Sequence, residues 1–286
     1  SAGSDYTSAA FYGNFKWDLS PKTTLTAGGR YTHTWLKARW ETNGGVYPQW
    51  LFDSPIGNLT TIDNVSDALT GSLSITYRPS TSWQLNFLAS SGFRSPNIDD
   101  LGKIRASKGI LLIPNPTLKP EYANNLDLGI SYFTPDRKGS FALRLYSTFL
   151  TDYIGRQFAP NYTDQLTGQV IALRFDEDIV QTQINANIGA ASIHGASFEG
   201  KWNLNSHFTV SSDLTFTYAN FLEGFGPLPS ILPFYGATML QYNKDKLSIR
   251  IRNRFSGAKN PKDYSLGGED GLDETPIEIN SEGLPQ

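Results

Sequence analysis

The side chains able to do chemistry are few and scattered. His33, His194 and His207 are the three histidines. His33 and His194 lie on alternating stretches near long loops, where an imidazole could ligate a metal. No spacing joins either to a second ligand, and each reads as a lone histidine on a polar strand face. His207 reads as a solvated turn residue. Trp40, Tyr47 and Trp50 share a long loop and could stack on a cyclic or aromatic ligand, or on one another. Phe93, Arg94, Asn97, Asp99 and Asp100 crowd one strand end, where Arg94 is placed to pair with Asp99 or Asp100. Glu269, Asp270, Asp273, Glu274, Glu278 and Glu282 are oxygen donors of the kind a hard cation takes, but they lack the EF-hand spacing and read as a solvated acidic loop. There is no nucleophile elbow and no phosphate-binding loop. The reading is of a protein that binds rather than catalyses, with no metal site and no cofactor.

The elements that would position these residues are strands. Ten stretches alternate apolar and polar residues with period two. They run from about 9 to 19, 24 to 39, 65 to 77, 83 to 90, 122 to 132, 141 to 152, 193 to 204, 208 to 218, 234 to 242 and 247 to 252. In the third, Val65, Leu69, Leu73, Ile75 and Tyr77 oppose Ser66, Thr70, Ser72, Ser74 and Thr76. Short turns rich in Ser, Pro, Asn, Asp and Gly join the stretches in pairs, near 21, 80, 136, 206 and 245; long loops join the pairs. Between Gly92 and Gly129, prolines 96, 114, 116 and 120 each lack an N–H and fix φ. The chain must therefore leave the sheet near Phe93 and can rejoin it only after Pro120. The loop from about 155 to 185 reads as polar and irregular.

Short turns at one end and long loops at the other are the layout of a transmembrane β-barrel. The strands are long enough to cross a bilayer at a tilt, against about 5–6 residues for a soluble strand. Their polar faces carry Lys, Arg, Asp and Glu, as a hydrated lumen permits. Trp17, Tyr77, Trp83, Tyr132, Trp202 and Tyr242 collect near strand ends, where an interfacial girdle sits. A soluble sandwich or propeller would need short turns at both ends. No run of about 18 apolar residues exists, so no transmembrane helix is expected. A net charge of -3 and the lack of any basic run point away from nucleic acid, and the absence of cysteine excludes disulfides and thiolate chemistry.

Two motifs carry a family resemblance. Gly92-Phe93-Arg94-Ser95-Pro96-Asn97, followed by Asn115-Pro116-Thr117-Leu118-Lys119-Pro120-Glu121 and a strand closing on Gly129, resembles the signature of TonB-dependent outer-membrane receptors. Ile193-His194-Gly195-Ala196-Ser197-Phe198-Glu199 is a weaker echo of a late strand in that family. The resemblance implies a bacterial outer-membrane, antiparallel β-barrel of about 22 strands around an N-terminal plug. Residues 1–286 would supply about ten adjacent strands of that one barrel domain, with the plug and the final strands outside this sequence. It implies active uptake of a scarce nutrient: a siderophore–metal chelate, cobalamin, haem or an oligosaccharide. Its implied partners are the TonB energy-transducing complex, reached through the plug, the transported ligand, and outer-membrane lipid and lipopolysaccharide. A surface lipoprotein is left open. Trp40, Tyr47, Trp50, Phe93, Arg94 and Asn97 are the candidate substrate-binding residues, although the strand-end motif also reads as a structural anchor for the loop. A passive porin, and an outer-membrane lipase or protease, are the competing classes. The first predicts an unplugged conducting channel and the second a carboxylate–His–nucleophile cluster.

Overall fold

A computed structural model describes residues 3–39, 53–54, 57–58, 61–107, 109–159, 172–175, 178–224 and 226–265. The strands in chain order are β1 (Gly3–Ser20), β2 (Thr23–Arg39), β3 (Asp53–Ser54), β4 (Gly57–Asn58), β5 (Thr61–Tyr77) and β6 (Trp83–Arg94). A one-turn helix α1 (Ile98–Gly102) precedes β7 (Arg105–Ser107), β8 (Ile110–Ile113), β9 (Glu121–Phe133) and β10 (Gly139–Thr151). Then come β11 (Ile154–Phe158), β12 (Ala172–Phe175), β13 (Asp178–Asn187), β14 (Ala191–Asn203), β15 (Phe208–Phe221), β16 (Phe234–Lys244) and β17 (Leu247–Ser256).

Ten strands make one antiparallel meander in the order β1-β2-β5-β6-β9-β10-β14-β15-β16-β17. These are the ten stretches that alternate in the sequence, and the chain leaves the meander after Arg94 and re-enters it at Glu121. The five short turns all fall at one end. They close locally: Asn205 Oδ1 accepts from the His207 and Phe208 amides at 2.8 and 2.9 Å, and Thr134 Oγ1 accepts from the Gly139 amide at 2.8 Å.

The register settles which way each side chain points. Phe87 pairs with Leu128, Leu128 with Leu145 and Leu145 with Ala196, so the apolar sets of neighbouring strands share one face. That face stays exposed: Phe11, Leu69, Leu128, Leu145, Phe216 and Ile251 are all open to the surroundings. A belt of rings crosses it near the short-turn end. Trp83 meets Tyr132 at 4.7 Å between ring centroids, Phe141 meets Trp202 at 5.8 Å and Phe208 meets Tyr242 at 4.9 Å. Strands rise about 3.3 Å per residue and tilt by about 40° in such barrels, so the eight to ten residues from this belt to Asp67, Phe93, Tyr122 and Ser192 climb about 20–25 Å. That is the height of an outer-membrane apolar band.

At the long-loop end the two faces exchange character. On β2 the outward positions run Tyr31, His33, Trp35 and then Lys37, while the inward ones run Thr32, Thr34 and then Leu36 and Ala38, which are buried. On β5 the outward Asp63 pairs with Lys37 at 3.4 Å and the inward Ile62 is buried. The hairpin has left the bilayer there, and its apolar side has turned inward.

What it turns toward is a second sheet built by the loops. Its order is β11-β13-β8-β7, with β12 also on β13. The segment expected as an irregular polar loop thus holds three strands. β13 pairs with β8 in parallel, Gln181 opposite Ile110, across about 70 residues of chain. Leu101, Leu111, Ile113, Leu118, Val180 and Ile184 form one buried cluster with Leu36, Ala38 and Ile62 of the wall. The loops therefore form a roof packed on the inner face of the upper wall, and the core lies between the two sheets.

Candidate functional site

The strand-end motif sits where roof and wall join. Phe93 and Arg94 are adjacent on β6 and so face opposite ways. Phe93 points outward against Tyr122, 6.3 Å between ring centroids. Arg94 points inward, with Nη1 donating to Asp100 Oδ2 at 2.8 Å and Nη2 to Glu121 Oε2 at 3.3 Å. Both carboxylates are largely covered, with side chains 17% and 14% exposed, while the guanidinium is 43% exposed. Glu121 also accepts from the Ile154 amide at 2.9 Å, which ties β11 of the roof to the same point.

Asn97 caps α1. Its Oδ1 accepts from the Asp100 amide at 2.9 Å, and Asp100 Oδ2 accepts from the Asn97 amide at 3.0 Å. This reciprocal capping box holds a helix of one turn that could not persist alone. Pro96 and Pro114 are fully buried beside it. Asp100 is thus shared between the cap and Arg94.

Three more asparagines stitch the loops together. Asn115 Nδ2 donates to Asn185 O at 2.8 Å, and Asn185 Nδ2 donates to Asp100 O at 2.9 Å. Asn187 Nδ2 donates to Asp152 O at 2.7 Å and Lys119 O at 3.1 Å, and its Oδ1 accepts from the Lys119 amide at 2.9 Å. Asn115 and Glu121 lay inside the second motif, but no local pattern marks Asn185 or Asn187, whose partners are distant in sequence.

The structure brings Arg94 and Asn97 together and sets Phe93 on the outer surface. Trp40, Tyr47 and Trp50 lie outside the described residues, as do the acidic residues from Glu269 to Glu282. The strand histidines are neither alone nor on the polar face. His33 shares the outward face with Tyr31 and Trp35, and its Nδ1 pairs with Asp67 Oδ1, which also accepts from the Tyr31 hydroxyl at 2.5 Å. His194 bonds Ser147 Oγ at 2.8 Å and meets Phe149 edge-on. Strand parity alone put both on the apolar side. Among the described residues no group of three or more metal-ligating side chains exists, and no helix is long and apolar enough to cross a membrane.

The family model described as "TonB dependent receptor-like, beta-barrel" matches residues 1–277. The chain belongs to that family. It is an outer-membrane barrel chain, and the belt of rings near the short turns marks the periplasmic side of its apolar band. It is 25% identical over 180 residues to the "Probable hemoglobin and hemoglobin-haptoglobin-binding protein 4" of Haemophilus influenzae, covering 60% of this chain and 17% of that protein. It is 31% identical over 120 residues to "Hemoglobin-haptoglobin utilization protein B" of Neisseria meningitidis serogroup A, covering 41% and 15%. Among solved structures, "Copper transporter OprC" superposes with a TM-score of 0.65 at 17% identity, over 88% of this chain and 36% of that one. That likeness concerns the fold. The receptor barrel described here spans about a sixth of these curated relatives, and its strand edges at β1 and β17 are each paired on one side only among the described residues.

Proposed function

We propose that this chain is the wall-and-roof portion of an outer-membrane receptor that imports a scarce nutrient, with haem released from a haem protein as the cargo. Binding and transport, not catalysis, is its work. The observation that carries this reading is the roof itself. Loops held to the inner wall through Arg94, Asp100 and Glu121 narrow the lumen at the extracellular mouth, as a receptor requires and a passive pore does not. The haemoglobin-linked names of the two curated relatives favour haem over other chelates.

In this reading Arg94 has guanidinium N–H groups left over for a cargo carboxylate, since its fork offers five donors. Trp40, Tyr47 and Trp50 stack on the flat macrocycle. Asn97 holds the loop that presents Arg94, and Phe93 anchors the same strand end at the membrane interface. The lumen is closed by a plug and by further strands from the rest of the protein. The plug couples binding to TonB, and lipopolysaccharide surrounds the outer face.

The test uses the full-length protein in cells that lack other haem receptors. Growth on haemoglobin as sole iron source, lost when TonB is removed, is the expected result. Arg94→Ala together with Trp40→Ala should weaken haem binding at least tenfold. Growth only on a ferric siderophore would move the cargo to another class. Conductance in a planar bilayer, with no need for TonB, would make the protein a porin.

A further inference from the structure

The wall is not zipped along its whole height. β5 pairs with β6 only from Tyr77–Leu85 up to Ser72–Ser90. β2 continues to pair with β5 as far as Arg39–Thr61, and β6 continues to pair with β9 as far as Arg94–Glu121. Above Ser72 and Ser90 the sheet is therefore forked between β5 and β6.

Side chains alone span the fork. Ser91 Oγ accepts from the Gly71 amide at 2.9 Å, taking the place that a strand carbonyl would occupy. The Tyr122 hydroxyl donates to Asp67 O at 3.2 Å. On the inner side Thr34 Oγ1 bonds Ser95 Oγ at 3.1 Å, and Asn64 Nδ2 donates to Leu118 O at 3.3 Å. Every one of these links runs from the β2–β5 hairpin to the body that carries β6, β9 and their loop. Ser95 and Leu118 belong to the roof.

The fork reaches down into the apolar band. Gly71 and Leu69 stand six and eight residues above Tyr77 of the periplasmic belt, about 15–20 Å up. Gly71 N and Asp67 O both point at the fork, so by strand alternation Leu69 N–H and C=O do too. Leu69 has no backbone partner on that side among the described residues, and it is 75% exposed. Unpaired backbone groups are costly at this depth, and open sheet edges facing lipid are not tolerated there. Ser91 and Tyr122 hold the fork too tightly for a further strand to enter without breaking both bonds.

We propose that the β5–β6 seam above Ser72 is a two-state hinge that couples the wall to the roof. In the state described here the seam is forked and the roof is tucked against the inner wall. In the second state the existing register continues upward: Gly71 faces Ser91, Thr70 faces Gly92 and Leu69 faces Phe93. Pro96, with no N–H, sets the upper limit. Zipping moves the top of β6, and Arg94 with it, toward β5. It strains the Thr34–Ser95 and Asn64–Leu118 contacts and so loosens the polar hold of the roof on the β2–β5 hairpin, while the buried cluster around Leu36 and Ile62 stays packed. The bilayer favours the zipped state and the four side-chain links favour the forked one. The hinge rests on the membrane placement and not on the identity of the cargo.

The chain has no cysteine, so an introduced pair reports cleanly. Thr70→Cys/Gly92→Cys places two inward thiols that the zipped register sets directly opposite each other, and a Cβ at Gly92 meets nothing in the forked state. Ser74→Cys/Leu88→Cys, on the same face of the paired part, is the reference. Both pairs are placed in the full-length protein in outer membranes and oxidised mildly. The expected result is that the test pair closes in more than half of the molecules, more slowly than the reference. Adding Ser91→Ala, which removes a link of the forked state, should speed closure several-fold. A test pair that stays reduced while the reference closes overturns the hinge. So does a closure rate that Ser91→Ala leaves unchanged, because the fork then has no second state that Ser91 opposes.

Discussion

At the scale of single residues, one polar side chain often serves two neighbours. Asp100 caps α1 and receives Arg94; Glu121 receives Arg94 and the Ile154 amide. Sequence reasoning could place Arg94 beside an acid because the two lie six positions apart. It could not choose Glu121, 27 positions away, without the strand register that sets Arg94 opposite Glu121. The periplasmic turn after β9 shows the same economy with a measurable consequence. The Thr134 hydroxyl donates to the Asp136 carboxylate at 2.7 Å, the Lys138 amide donates at 3.1 Å, and the Lys138 ammonium lies 3.6 Å away. Together, with the Thr134 bond first, they hold the Asp136 carboxyl below its usual range. A carboxyl depressed in the folded state stabilises the fold above its unfolded value of about 4, and that contribution is lost as pH falls through the folded value. Thermal unfolding in detergent should therefore show a difference between wild type and Asp136→Asn at pH 6 that shrinks as the pH is taken below 4. A constant gap from pH 6 to pH 3 would mean that Asp136 acts through shape and not charge.

At the scale of elements, the period-two pattern was enough to find all ten wall strands, their five turns and the exit and re-entry of the chain around the prolines. It failed for β11, β12 and β13, whose partners are one another and β8. Short strands that pair across distant loops take their stability from packing on the roof core, and no local pattern encodes that. The inversion of faces on β2 was present in the sequence all along: Trp35 outward and Thr34 inward give way within three residues to Lys37 outward and Leu36 inward. An alternating stretch whose apolar face changes sides has left the membrane and found a protein partner. This makes a direct comparison possible. Leu36 is 3% exposed beneath the roof, and Leu69 is 75% exposed on the lipid-facing side. Leu36→Ala should cost about 2–5 kcal/mol of roof packing, seen as faster proteolysis between residues 95 and 120 of the intact receptor. Leu69→Ala, which leaves no cavity in protein, should leave that cleavage rate within twofold of wild type. Equal rates for the two variants would place the roof core elsewhere.

At the scale of the whole molecule, the sheet has two long free margins among the described residues. β1 exposes residues along its entire length, and β17 shows Ile249 and Ile251 outward beside Arg250, Arg252 and Arg254 on the inner side. In water or in lipid such margins recruit another strand or aggregate, and barrels escape this only by closing. The matched part of the chain covers about a sixth of its curated relatives. The inner face argues the same way. Among the described residues the lumen-facing arginines of β17 have one carboxylate within salt-bridge distance, Asp213 at 3.9 Å from Arg252, and three cations in a row on an inner wall are stable only against water or an oppositely charged filling. Residues 1–286 refolded alone in detergent should therefore give strand-rich material that associates edge to edge and shows no compact, heat-modifiable band on electrophoresis. The full-length protein under the same conditions should give that band. A heat-modifiable monomer from residues 1–286 alone would mean that β1 and β17 can close on each other, and the wall would then be a complete ten-stranded barrel with the roof as its own stopper.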